Sequence, residues 1–229
     1  MTDATKEEFD WPPLESNPEV FAKYLHDIGL SKLYSIGEVY GFDEDLLAFL
    51  PQPIHGIIVA LERLNRDSDI TKGTADDITK VDFYMDQTGS LDNACGIIAC
   101  LHAILNNSDS MLVPGSVLET FRQTTKNQTP AERCKSLEDN IDFKKIHKSF
   151  AMQGQSAAIT SDQSKVQHHF VAFVVKDGCL IELDGTKQGP YVIGECSDVL
   201  RGAIAEIQKR LASGEISDKL SMMTLNAAA

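Results

Sequence analysis

With 229 residues, 42% apolar and 24% charged, the chain has the composition of a folded globular domain, which excludes a fibrous or wholly disordered protein. Its 34 acidic against 21 basic residues leave a formal charge of −13, a field that repels phosphate backbones and argues against nucleic acid as a partner. The same field favours encounter with a basic protein or peptide tail.

Met1 to Trp11 carry Asp3, Lys6, Glu7, Glu8 and Asp10 without an apolar run, so no secretory signal is expected there. Nowhere do about 18 uncharged apolar residues follow one another as a membrane helix needs. One domain over residues 1–229, cytoplasmic and off the membrane, is the expectation. Cys95, Cys100, Cys134, Cys179 and Cys196 show neither paired CxxC spacing nor a His/Cys metal pattern, so reduced thiols and no metal are expected.

Asn17-Pro18-Glu19 reads as an N-cap with proline at the first helical position, and Val20, Phe21, Tyr24, Leu25 and Ile28 then share one face of a helix ending at Gly29. Asp43 is placed to cap a short helix through Leu46, Leu47 and Phe49, which Pro51 terminates. Ile54 to Leu61 is apolar and β-branched, the pattern of a buried strand. Residues 62–80 are rich in charge and read as a surface loop, followed by a strand over Val81 to Met85.

Ala94 to Leu105 (ACGIIACLHAIL) is apolar nearly all round, as in a helix buried in a core. Thr129-Pro130-Ala131-Glu132 fits a capping box that opens another helix past Cys134. Residues 151–167 are small, polar and aperiodic and read as an exposed loop. Phe170 to Val175 and Cys179 to Leu183 flank Lys176-Asp177-Gly178, the mark of a hairpin. Ser197 is then expected to cap an amphipathic helix carrying Val199, Leu200, Ala203, Ile204, Ile207 and Leu211.

Cys95 follows Asn93, a good N-cap residue, at the start of the buried helix, where unpaired N–H groups and the helix dipole favour a negative group. A thiolate nucleophile belongs in such a place, and the same N–H groups can receive an oxyanion. His102 lies on the same helix but about 10 Å along its axis, too far to act as its base. A two-residue Asp177-Gly178 turn pairs Lys176 with Cys179 and, continued, sets His169 opposite Thr186 with Asp184 as its diagonal neighbour. His168 and Glu182 are then less well placed; a three-residue turn would reverse the parity.

With those residues assembled, the sequence resembles a short ubiquitin C-terminal hydrolase, a papain-like cysteine peptidase family. The likeness is carried by WPPLESNPEV at 11–20, VYGFDEDLLAFLPQPI at 39–54, NACG at 93–96, HFVAFV at 169–174 and ELDGTK at 182–187. It implies an α/β domain, α+β and layered, with a central mainly antiparallel sheet between helices and a knotted backbone. It also implies Cys95 as nucleophile, His169 as base and acid, Asp184 holding the imidazole tautomer, and no cofactor.

Gln87 matches the family glutamine that donates to the oxyanion, although seven residues separate it from Cys95 where about five are usual; a bulged loop would absorb the excess. Residues 151–167 match the crossover loop that restricts leaving groups to small or flexible ones. Ubiquitin is the implied partner of a monomeric enzyme, with Pro13, Leu14, Glu15 and Glu19 contacting its basic tail. The chain is expected to end at Leu225 to Ala229, soon after the last strand, without the extension that recruits proteasome-bound relatives. A peptidase for a ubiquitin-like modifier and a non-catalytic ubiquitin binder remain as alternatives.

Overall fold

The run Ile57-Ile58-Val59-Ala60-Leu61 is apolar at every position because both faces of its strand are covered. Ile57, Val59 and Leu61 enter one core, and Ile58 and Ala60 the other. In the computed structural model, which describes residues 9, 11–64, 73–151 and 168–228, this strand lies near the middle of a six-stranded sheet. The strands are β1 (Tyr34–Glu38), β2 (Ile54–Glu62), β3 (His168–Lys176), β4 (Cys179–Leu183), β5 (Tyr191–Glu195) and β6 (Ser221–Ala227). Their order is β1-β6-β2-β3-β4-β5 and every neighbouring pair is antiparallel.

Helix α1 (Pro18–Ile28) starts where Asn17 accepts the Glu19 and Val20 N–H groups. Helix α2 (Glu44–Leu47) ends before Phe49, and Asp43 precedes it without a side-chain cap bond. Helix α3 (Cys95–Leu105) is buried along its whole length on one face of the sheet. Packed into the same core are side chains of α1, α4 (Val117–Thr125), α5 (Pro130–Asp139) and α6 (Ile141–Ala151). The expected capping box opens α5, with Thr129 and Glu132 bonding reciprocally. Helix α7 (Val199–Ser213) covers the opposite face through Val199, Leu200, Ala203, Ile204 and Ile207. The layered α+β architecture is as expected, and among the described residues no helix is long and apolar enough to cross a membrane.

Four local expectations change. Val81 to Met85 is buried in part but forms no strand, because side chains take the hydrogen bonds a neighbouring strand would have made. Asn106 Oδ1 accepts the Asp82 and Phe83 N–H groups at 2.8 and 2.9 Å, its amide donates to the Phe83 carbonyl, and His102 Nε2 accepts from Met85. The cap of α7 is Asp198, which accepts the Arg201 N–H, and not Ser197. Glu62 belongs to β2, Arg63 forms an isolated bridge with Ile216, and Ala75–Lys80 is a 3-10 helix, while residues 65–72 of the expected loop over 62–80 lie outside the described residues. Helix α6 continues through Ala151, and residues 152–167 of the expected crossover loop lie outside the described residues.

Asn106 makes four bonds in all, the last to the His102 carbonyl. Its replacement by alanine orphans buried backbone groups at about 1–3 kcal/mol each. Asn106→Ala is therefore expected to lower unfolding free energy by about 3 kcal/mol, measured as a reduced urea midpoint at unchanged slope.

Candidate active site

Cys95 is the first residue of α3 and 7% exposed. The cap position is held by Ala94, not Asn93, and no side chain closes the helix start. The first intrahelical bond runs from Ile98 N–H to the Ala94 carbonyl, so the amides of the first turn, beginning at Cys95, have no partner within the helix. Gly96 permits this helix start to press on the aromatic pair Phe21 and Phe170: a Cβ there would lie 2.9 Å from Phe21 Cζ.

The hairpin closes through Asp177 and Gly178, at φ 50° and 77°, and the register runs from Lys176↔Cys179 to Ala172↔Leu183 as the two-residue turn requires. The ladder stops at Leu183. Beyond it, Asp184 turns back on itself, with Lys187 N–H donating to the Asp184 carbonyl at 3.0 Å, and His169 Nε2 meets Asp184 Oδ1 at 2.7 Å. Thr186, expected opposite His169, instead donates its N–H and hydroxyl to the same Oδ1 at 3.0 and 2.8 Å. Glu182 points elsewhere and is bonded to Arg210 in a buried ion network with Glu206.

Asp184 Oδ2 is taken by the Arg63 guanidinium. Burial alone would push the Asp184 carboxyl up, but the charge and hydrogen bond of His169, then those of Arg63, hold it well below the usual carboxylate range. Burial would likewise lower the His169 imidazole. The Asp184 charge and hydrogen bond outweigh that, an interaction with the Cys95 side chain adds to them, and the imidazole is raised to about 9 against an opposing contribution from Arg63. Cys95 of α3 and the hairpin pair His169 and Asp184, distant from it in the chain, therefore converge. With Nε2 on the carboxylate, Nδ1 is the ring nitrogen left for the thiol.

Gln87 is buried beside this group. Between Gln87 and Cys95 the chain makes a 3-10 turn, Gly89–Leu91, entered through Gly89 at φ 64°. The Gln87 amide donates to the Asp92 carbonyl at 2.8 Å, leaving one further N–H on the same nitrogen. Its backbone N–H donates to Gly185 at 2.8 Å, an approach only glycine allows, since a Cβ at 185 would come within 2.9 Å of Gln87 Cβ. Tyr84 hydroxyl, 2.6 Å from the Asp184 carbonyl, ties the same turn from below.

His102 is fully buried, lowered by burial to about 4, and stacked on Tyr84. It is a structural acceptor and not part of this group. Of the N-terminal residues, Glu15 and Glu19 are exposed, Pro13 is half-buried, and Leu14 packs into the core. Arg63 was hidden by its place in a charged run. Its signal was strand periodicity: Leu61 pairs with His169, so Arg63, two residues on, emerges on the same side of the sheet. The five cysteines are all unpaired, and among the described residues no three His, Cys, Asp or Glu side chains gather as a metal site.

Residues 11–212 match the family model for ubiquitin carboxyl-terminal hydrolase, family 1. A ubiquitin carboxyl-terminal hydrolase of Drosophila melanogaster is 36% identical over 82% of this chain and 84% of its own length. Ubiquitin carboxyl-terminal hydrolase 3 of Arabidopsis thaliana is 35% identical over 88% of this chain and 87% of its own. In structure, the catalytic domain of Trichinella spiralis UCH37, solved bound to ubiquitin vinyl methyl ester, superposes with a TM-score of 0.78 at 24% identity, covering 95% of this chain and 96% of that one.

Proposed function

This chain belongs to the family 1 ubiquitin carboxyl-terminal hydrolases and is a cysteine-type ubiquitin hydrolase; from that premise we propose that it cuts the bond after ubiquitin's C-terminal glycine with Cys95, His169 and Asp184. The observation that carries the proposal is the meeting of Cys95, at an open helix start, with an imidazole whose far nitrogen is held by a buried carboxylate.

Cys95 Sγ attacks the glycine carbonyl carbon while its proton resides on His169. The oxyanion is received by the first-turn amides of α3 and by the second N–H of Gln87. The C–N bond then breaks as the imidazolium protonates the leaving amine, leaving a thioester. His169 takes a proton from water, which attacks the thioester, and ubiquitin's carboxylate departs as Cys95 regains a proton. A preference for small or flexible leaving groups is what the family resemblance implies. Pro13, Leu14, Glu15 and Glu19 are the residues proposed to contact the basic ubiquitin tail; the exposure of Glu15 and Glu19 supports this, whereas Leu14 packs into the core. The unpaired cysteines accord with a cytoplasmic site of action.

The test is turnover of ubiquitin amidomethylcoumarin together with labelling of Cys95 by a ubiquitin-vinyl electrophile. Absence of both, in folded protein, overturns the reading; faster turnover of a ubiquitin-like modifier conjugate would redirect it to that modifier. Gln87→Ala is expected to lower kcat by about 10²–10³ with KM little changed, read in the same assay. Because the imidazole is raised to about 9 by Asp184, the leaving-group proton is retained below that value and lost above it. The kcat/KM profile is expected to fall as pH rises through about 9.

A further inference from the structure

We propose that Arg63 is a positioning residue that fixes Asp184 through the oxygen His169 does not use and, by its charge, keeps the protonated imidazole ready to give up its proton. The inference rests on the reading of Cys95, His169 and Asp184 as the catalytic set.

Asp184 is 2% exposed and its two oxygens are divided between different partners. Oδ1 receives His169 and both donors of Thr186, and Oδ2 receives the Arg63 guanidinium. A carboxylate held at one oxygen alone can rotate about its Cα–Cβ and Cβ–Cγ bonds; held at both, it presents Oδ1 to the imidazole in one orientation. Arginine is long and flexible, yet this one is fixed at its root. The Arg63 backbone bridges Ile216, Leu64 N–H donates to the Glu215 carbonyl at 2.9 Å, and Ser217 N–H donates to the Glu62 carbonyl at 3.0 Å. Its side chain is only 18% exposed, so water screens its charge weakly.

The charge has a direction of effect. Among the described residues, the groups that face the imidazole are Asp184 from the end of β4, Arg63 from the end of β2 and Cys95 from α3. The Arg63 charge offsets that of Asp184 and opposes a proton on His169. Without Arg63 the same proton would neutralise a lone carboxylate and be held more tightly. Tight holding favours the first step, in which His169 takes the thiol proton, and hinders the second, in which it protonates the leaving amine. Arg63 moderates a carboxylate that would otherwise overbind the proton.

The experiment is an NMR titration of the His169 imidazole in a Cys95→Ala background, its resonance assigned by disappearance in His169→Gln. Arg63→Gln is expected to move the midpoint upward by about one pH unit, and Arg63→Lys, which keeps the charge, to leave it near the value with Arg63. An unmoved midpoint in Arg63→Gln, or an equal rise in Arg63→Lys, overturns the proposal. Should Arg63→Gln fail to fold, Arg63→Met, which keeps the apolar stem, carries the same expectation. The titration needs no turnover, so failure of the catalytic reading shows separately, as missing vinyl-electrophile labelling at Cys95 in protein that retains Arg63.

Discussion

Cys95→Ala is expected to lower kcat/KM for ubiquitin amidomethylcoumarin by on the order of 10⁴–10⁶ while ubiquitin binding, read by calorimetry, is retained. Removing the sulfur removes the covalent route altogether, and no neighbour can take its place. Cys100 shares the helix but is fully buried, and burial pushes its thiol up. The substitution is gentle to the fold, because alanine is the best helix former and Cys95 is at the first position of α3, where no side-chain cap is lost. Turnover within tenfold of the unsubstituted enzyme would remove Cys95 from the mechanism. Loss of binding in parallel with turnover would show that the substitution had damaged the ubiquitin site instead.

The parts of this site that were legible in sequence are those governed by local rules. A two-residue Asp177-Gly178 turn fixes the β3–β4 register as far as Ala172↔Leu183, so counting brings Asp184 to the neighbourhood of His169, and the turn from Asp184 to Lys187 completes the approach. The apolar run of α3 has only one way to avoid water, and it places Cys95 at a buried helix start. Asn93 was a poorer guide, since N-cap preference is a weak local energy and the turn from Leu91 to Ala94 decided where the helix begins.

What stayed hidden depends on partners far along the chain. The apolar Val81 to Met85 run has strand composition, but whether a strand forms is decided by Asn106 and His102, some 20 residues later, which occupy its N–H groups. Strand β6 beside β2 buries Thr224 and Asn226, which polarity alone assigns to a surface; they bond to each other, over Gly37 of β1, where a Cβ would lie 2.7 Å from Thr224 Oγ1. Arg63 looked like one charge among many until pairing with His169's strand set its direction.

Asp184→Asn is the substitution whose consequences separate charge from shape. Asparagine can keep an acceptor toward His169, but it has no charge to oppose the effect of burial, so the imidazole midpoint is expected to drop from about 9 to below the ordinary 6.5. Proton transfer from Cys95 then has no imidazolium to stabilise, and kcat/KM is expected to fall by about 10²–10⁴. Stability changes as well, since the buried Asp184 carboxylate and its charge-assisted bonds to His169 and Arg63 are lost; a loss of about 3 kcal/mol at pH 7 is expected, measured by urea unfolding. The sign with pH follows from the depressed carboxyl. Its contribution is present above the unfolded value of about 4 and disappears as pH falls through the folded one, while that of the raised imidazole is present below about 6.5 and is lost as pH rises through about 9, so the gap between the two proteins should be widest between about pH 4 and 6.5 and narrow on either side. A gap that stayed constant down to pH 2 would mean that asparagine costs packing and not charge. The pairing of Asp184 with His169 and Arg63 would then not be what sets the imidazole's proton affinity.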